Sequence, residues 1–306
     1  PGEFGPDICN DFILDFLKRQ DAETPFFVYY PMLLTHGPLT TTPHRPDAGG
    51  KDRHHAMVEY MDFLVGNVVE TLNETGLRKN TIIVWTTDNG TSVGISNRMN
   101  GRLVPGAKGK TLENGTCEPF IVNGPGLVPE GKTSPALSDF TDLLPTFAEL
   151  AGAELPEGYE FDGHSLASVW LGKSDRGPRH WILSMGGQPG TYDEDGRVIN
   201  VHKYRDRVIR NERYKLYIET DRSAAKLVDL DNDPAELVNR IDDPELAAVL
   251  SELKAIEATF PAEDASPRYE PLPPRPWDVV QKNPGQRTGL AGLPSNAPEK
   301  KRRGNR

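Results

Sequence analysis

Apolar residues along the chain alternate between two rhythms. At helical spacing, residues 7–19 place Ile8, Phe12, Ile13, Phe16 and Leu17 on one face. Residues 52–77 set Met57, Tyr60, Met61, Leu64, Val68 and Leu72 in a stripe, with Gly76 as the stop. A shorter helix is predicted over 139–152 from Leu143, Leu144, Phe147 and Leu150, with Pro145 in its first turn, and a closing helix over 244–260. Between them lie dense apolar or β-branched runs: PFFVYYPM (25–32), TIIVWTT (81–87) and PFIVNGPG (119–126), each read as a buried strand. This β-α-β-β-α order predicts an α/β sheet with helical crossovers. Past about residue 175 the runs shorten. WILSMG (181–186), KYRDRVIRN (203–211), YKLYIET (214–220) and KLVDLD (226–231) predict a small antiparallel sheet.

Composition adds limits. The 306 residues suffice for one large α/β domain or two smaller ones. A formal net charge of −10 argues against a nucleic-acid-binding face. Hydrophobic content of 36%, with 27 Pro and 29 Gly, marks a loop-rich chain. The Pro-rich segment from about residue 261, ending KKRRGNR, is read as a disordered or surface-draped tail. No apolar run is long enough to span a membrane. Two cysteines, Cys9 and Cys117, cannot build a disulfide framework or a structural zinc site, and whether they pair is open.

Candidate chemistry sits in loops. Asp88-Asn89 follows strand 81–87, and ligand sites of open α/β sheets lie at the carboxyl ends of strands. A carboxylate beside an amide oxygen suits Ca²⁺ or Mg²⁺ rather than zinc, although Asp-Asn-Gly taken alone reads better as a β-turn. His36, in the loop after strand 25–32, has the chemistry of a general acid or anion contact, and equally of an exposed loop histidine. Lys108, flanked by glycines in GAKGKTLENG, can meet a phosphate or sulfate oxygen; a flexible surface loop is the plain alternative. Gly109-Lys110-Thr111 is not a P-loop, because Val104 stands where the first Gly is required. Asp229, Asp231 and Asp233 have the spacing of a calcium loop, but Pro234 replaces its Gly and Arg240 its final Glu, so DLDNDPAE is a turn. His44, His54, His55 and His164 show no metal-ligand spacing, and glycosylation triplets begin at Asn73, Asn89 and Asn114.

Taken in order, PFFVYYPMLLTHGP (25–38), YMDFLVGNVVETL (60–72), TIIVWTTDNG (81–90), GAKGKTLENGTCEPFIVNGPG (106–126), LSDFTDLLPTFAELAG (137–152) and FDGHSL (161–166) resemble the sulfatase family of the alkaline phosphatase superfamily. RYKLYIE and KLVDLDNDPAELVN resemble its small terminal sheet, so the likeness spans about 1–260. It implies an α/β, alkaline-phosphatase-like mixed sheet flanked by helices over 1–175, N-terminally truncated. A small C-terminal antiparallel sheet with a helix over 176–262 and the tail from 263 would follow. Asp88 and Asn89 would be two ligands of a single Ca²⁺, with Mg²⁺ the lesser choice. His36 would contact the sulfate and help protonate the leaving oxygen, and Lys108 would bridge a sulfate oxygen and the ester oxygen. The family's nucleophile is a formylglycine made from Cys or Ser; hydrated, it attacks sulfur, the alcohol leaves and the sulfated hemiacetal collapses. Cation, lysine and histidine would stabilise charge on the transferring group.

The nucleophile motif C/S-x-P/A-S-R is absent, neither cysteine fits it, and the family's Glu-Gly-Gly reads Glu113-Asn114-Gly115 here. The expectation is therefore the C-terminal half of a sulfatase acting on a sulfated carbohydrate or aryl sulfate, its nucleophile supplied upstream, the chain alone inactive. A periplasmic or secreted location follows by resemblance. The alternatives are a phosphatase or phosphodiesterase of the same superfamily, whose Asp-His would replace Asp88-Asn89, and a non-catalytic protein binding sulfated glycans. Substrate identity and oligomeric state are not legible.

Overall fold

A computed structural model describes residues 3–186, 190–194 and 198–265. The expected tail falls almost wholly outside them. The chain divides into two units, one of Pro1–Gln188 with His202–Asp264, the other of Pro189–Val201 with Ala265–Arg306.

In the first unit, helix α1 (Gly5–Lys18) packs on the long helix α2 (Asp52–Glu74). Leu17, Leu72 and Leu77 close one apolar cluster, and Met57, Tyr60, Leu64 and Leu34 another. The stripe predicted on α2 is the face it buries, and Gly76 ends the helix in the left-handed conformation (φ 74°). The stripe predicted on α1 is only half buried: Ile13, Phe16 and Leu17 point inward, while Ile8 and Phe12 stand exposed. Its inner face also holds Asn10, whose amide donates to the Leu64 carbonyl at 3.1 Å.

Strand β1 (Ile83–Thr86) is the core of the TIIVWTT run. The hairpin β2 (Ser96–Met99) and β3 (Arg102–Pro105), a polar pair without apolar alternation, was not expected. A single helical turn, α3 (Glu113–Thr116), leads into β4 (Phe120–Asn123), which pairs antiparallel with β1, Thr86 opposite Phe120. Residues 25–32, expected as a strand, run without a ladder partner among the described residues. The apolar content is right for a strand, but no neighbour takes up its backbone groups, and Phe27 and Tyr29 point outward at 68% and 80% exposure. Helix α4 (Leu143–Ala151) follows a capping box on Asp139, and α5 (Ala167–Trp170) is one turn.

The C-terminal sheet is the best-buried part. Strand β5 (Ile182–Met185) precedes β6 (Thr191–Tyr192) and β7 (Val198–Ile199), which pair with each other in the second unit. Then come β8 (Arg207–Arg210), β9 (Tyr214–Ile218) and β10 (Ala224–Asp229), giving an antiparallel sheet in the order β10-β9-β8-β5. Period-two alternation divides its faces. Ile209, Leu216, Ile218 and Leu227 pack beneath helix α6 (Ala247–Glu257) through Leu253 and Leu246. DLDNDPAE is a turn; Asp229 is buried on Arg213 at 2.6 and 2.9 Å, which depresses its carboxyl pKa. Cys9 and Cys117 are free and exposed. No helix among the described residues is long and apolar enough to cross a membrane.

The opposite sheet face is ionic. Lys215, fully buried, places Nζ 3.0 Å from Glu113 and 3.3 Å from Glu236. Arg210 reaches Glu113 at 2.5 Å, and Glu236 accepts from the Glu113 backbone N–H at 2.5 Å and from the Tyr217 hydroxyl. This network docks α3 onto β8 and β9. Glu113→Ala should therefore strand two cations against one carboxylate and destabilise the fold by about 3–5 kcal/mol, read by denaturant unfolding. A loss below about 1 kcal/mol would show that the network does not hold the loop.

Candidate active site

Three loops meet where β1 ends. Gly90 N–H donates to the Gly115 carbonyl at 3.2 Å, and Lys108 N–H to the Thr91 carbonyl at 3.0 Å. Contact is close enough that a Cβ on Gly90 would fall 1.9 Å from the Asn114 carbonyl oxygen, and one on Gly106 2.1 Å from that of Ser92. Backbone can approach backbone this way only where no side chain intervenes. Asp88-Asn89 is thereby tied to the Lys108 loop and, through Glu113, to the C-terminal sheet.

Of the sequence-predicted residues, Asp88, Asn89 and Lys108 come together in this loop cluster. Asp88 is exposed, Asn89 and Lys108 are half-buried, and no hydrogen bond or ion pair among the described residues claims their side chains. His36 stands apart, in its own loop. Its Nδ1 lies 2.8 Å from the Gly37 carbonyl. A carbonyl only accepts, so the proton belongs on Nδ1, leaving Nε2 open. His36 lines an apolar cavity of about 480 Å³ with Phe4, Met32, Leu34 and Met57.

Glu118 was not foreseen. Continuing the β1–β4 register past Thr86–Phe120 sets it opposite Asp88. Its Oε2 accepts from the Thr87 hydroxyl at 3.0 Å, whereas Oε1 is buried with no partner among the described residues. Burial first, then the charge of Asp88, push its carboxyl up to about 7 against the opposing Thr87 hydrogen bond. Its signal lay in the pairing of two strands, which separate readings of each did not supply.

The fit to Ca²⁺ is partial but chemically consistent. Asp88 and Asn89 offer uncommitted hard oxygens, and the orphaned Glu118 oxygen marks a neighbourhood short of positive charge. No group of three or more His, Cys, Asp or Glu side chains able to hold a metal occurs among the described residues, so Asp88 and Asn89 do not by themselves make a complete site.

The family model described as Sulfatase matches residues 7–153, and the one described as N-sulphoglucosamine sulphohydrolase, C-terminal, matches residues 108–259. The chain belongs to the sulfatase family. It is 35% identical to the N-acetylgalactosamine-6-sulfatase of Canis lupus familiaris over 164 residues, 52% of this chain and 31% of that protein. The crystal structure of Ps i-CgsB superposes with a TM-score of 0.66 at 23% identity, covering 84% of this chain and 55% of that one. The structure of BT4656 in complex with its substrate D-glucosamine-2-N,6-O-disulfate gives a TM-score of 0.53 at 26% identity, covering 70% and 43%. The fold is therefore the alkaline-phosphatase-like α/β fold of the sulfatases with its small C-terminal antiparallel sheet. The chain spans about half the length, or less, of the curated relatives it matches.

Glu118 yields a pH prediction for this sulfatase chain. A carboxyl raised in the folded state contributes its stability fully below the ordinary value of 4.5 and loses it as pH climbs towards about 7. In chelator-treated protein, the stability difference between wild type and Glu118→Gln should shift against wild type between those limits and level off above. Parallel curves for the two proteins, measured by thermal unfolding across pH, would refute the assignment.

Proposed function

We propose that the whole protein is a sulfuric ester hydrolase acting on a sulfated carbohydrate, with this chain supplying the electrostatic half of its active site. The observation that carries the reading is the loop cluster in which Asp88, Asn89 and Lys108 hold uncommitted polar groups at one strand end. Asp88 and Asn89 would hold one Ca²⁺ in part. When bound, that ion would supply positive charge where sulfate oxygens accumulate negative charge. Lys108, an ammonium on a backbone hydrogen-bonded to Thr91, is suited to a sulfate oxygen and the ester oxygen. His36, protonated on Nδ1, can position a proton on Nε2 for the leaving oxygen only as imidazolium; as the neutral tautomer it accepts a hydrogen bond there.

Sulfated saccharide as substrate class is supported by a relative named N-acetylgalactosamine-6-sulfatase and by the disulfated glucosamine in BT4656. The nucleophile and the remaining cation ligands would lie on a segment outside this chain. What supports a covering segment is that Phe27, Tyr29 and Ile121 present apolar side chains outward.

In the whole protein, Lys108→Ala and His36→Ala should each lower kcat/KM for an aryl sulfate by about 10²–10³-fold while leaving the unfolding midpoint in place. Asp88→Ala should abolish the stabilisation given by added Ca²⁺. Unchanged turnover in both Lys108 and His36 variants would end the proposal. The isolated 306-residue chain should show no aryl sulfate turnover and should aggregate through its outward aromatics. Catalysis by a monodisperse sample of it would show that the chain carries a nucleophile of its own.

A further inference from the structure

The ladder that leads to the loop cluster stops short of Asp88. Strand β1 pairs with β4 as far as Thr86 opposite Phe120. One step further, the register sets Pro119 opposite Thr87, and a proline has no N–H to donate. Among the described residues Asp88 and Asn89 make no backbone hydrogen bond, and the next tie is Gly90 N–H to the Gly115 carbonyl at 3.2 Å. The two proposed ligands therefore stand between the last ladder pair and Gly90 with no backbone support of their own.

A side chain bridges that gap. Glu118 sits in the short link from α3 to β4, where Cys117 N–H donates to the Glu113 carbonyl at 2.8 Å and Pro119 biases the residue before it to extended backbone. From this fixed corner its Oε2 accepts from the Thr87 hydroxyl at 3.0 Å, the one hydrogen bond of the Glu118 side chain among the described residues. Oε1 is buried without a partner there, which costs stability. With no cation paired to it among the described residues, what the carboxylate secures is Thr87, the residue next to Asp88.

We propose that Glu118 is a positioning residue of the cation site. It fixes Thr87 through the hydroxyl bond and so sets the direction in which Asp88 and Asn89 present their oxygens. The proposal rests on the cation reading given above. Outer partners of this kind orient the groups that bind a metal ion, and losing one typically costs about 10–100-fold in affinity.

The test measures Ca²⁺ binding by calorimetry, on chelator-stripped protein carrying this chain at full length, with unfolding midpoints taken in chelator alongside. Thr87→Val keeps the shape and the Glu118 charge but removes the donor, and it should weaken Ca²⁺ about tenfold. Thr87→Ser restores the donor and should bind within about threefold of wild type. Glu118→Ala should weaken Ca²⁺ at least tenfold, and adding Thr87→Val to it should cost no more than about twofold again, because both changes remove the same bond. Wild-type affinity in Thr87→Val overturns the proposal, whether Glu118→Ala binds normally or, as a direct ligand would, loses Ca²⁺. So does a lowered unfolding midpoint with unchanged affinity, which marks a merely structural bond, and so do losses in the double variant that multiply. Asp88→Ala separates the two readings. If it abolishes binding while Thr87→Val does not weaken it, the positioning role alone falls. If it binds Ca²⁺ as wild type does, the cation reading falls and this proposal with it.

Discussion

The docking of the Asp88-Asn89 loop onto the C-terminal sheet depends on one buried ammonium. Lys215 is fully enclosed, and an isolated charge there would cost several kcal/mol. Two carboxylates, Glu113 and Glu236, and a second cation, Arg210, complete a balanced set around it. Burial and then the Glu236 hydrogen bond hold the Tyr217 phenol protonated well above its ordinary range, so it remains a donor. Such a network adds little stability over a well-packed apolar core, but it is exacting about geometry. Its exactness is transmitted through α3 to Gly115, from Gly115 to Gly90, and so to Asp88 and Asn89.

The sequence made half of this visible. The β-branched run of β1, the stripe on α2 and the alternation in β8 to β10 were legible because burial on one face leaves a period. Asp88-Asn89 was legible because a polar pair ends an apolar strand. Lys215 was not: in YKLYIET its place in the alternation marks it as facing away from Leu216, and away from the core normally means solvent. Only the distant Glu113 turns that face into an interior. Glu118 was missed for the same reason, since its relation to Asp88 exists only once β1 and β4 pair. The segment 25–32 failed in the other direction: its apolar character was read as burial between strands, and it has no ladder neighbour among the described residues.

The charges in the two halves behave differently. On the C-terminal sheet, Asp229, Glu113, Glu236 and Glu257 each meet an arginine or lysine. At the end of β1, Asp88 and Glu118 face each other with no cation paired to either among the described residues, and the strain shows in the raised Glu118 carboxyl. A fold that neutralises its buried carboxylates so thoroughly leaves the half-buried Glu118 and the exposed Asp88 without a cation among the described residues, where glycine contacts constrain the backbone closely. Rigid placement of uncompensated negative charge is costly to stability and serves no packing purpose. On the proposed reading it would serve a hard cation, because ligands that need not reorganise bind without a further ordering cost. On that reading the Lys108 ammonium, which no carboxylate claims among the described residues, would stay free for a sulfate oxygen once a cation had covered the acidic oxygens.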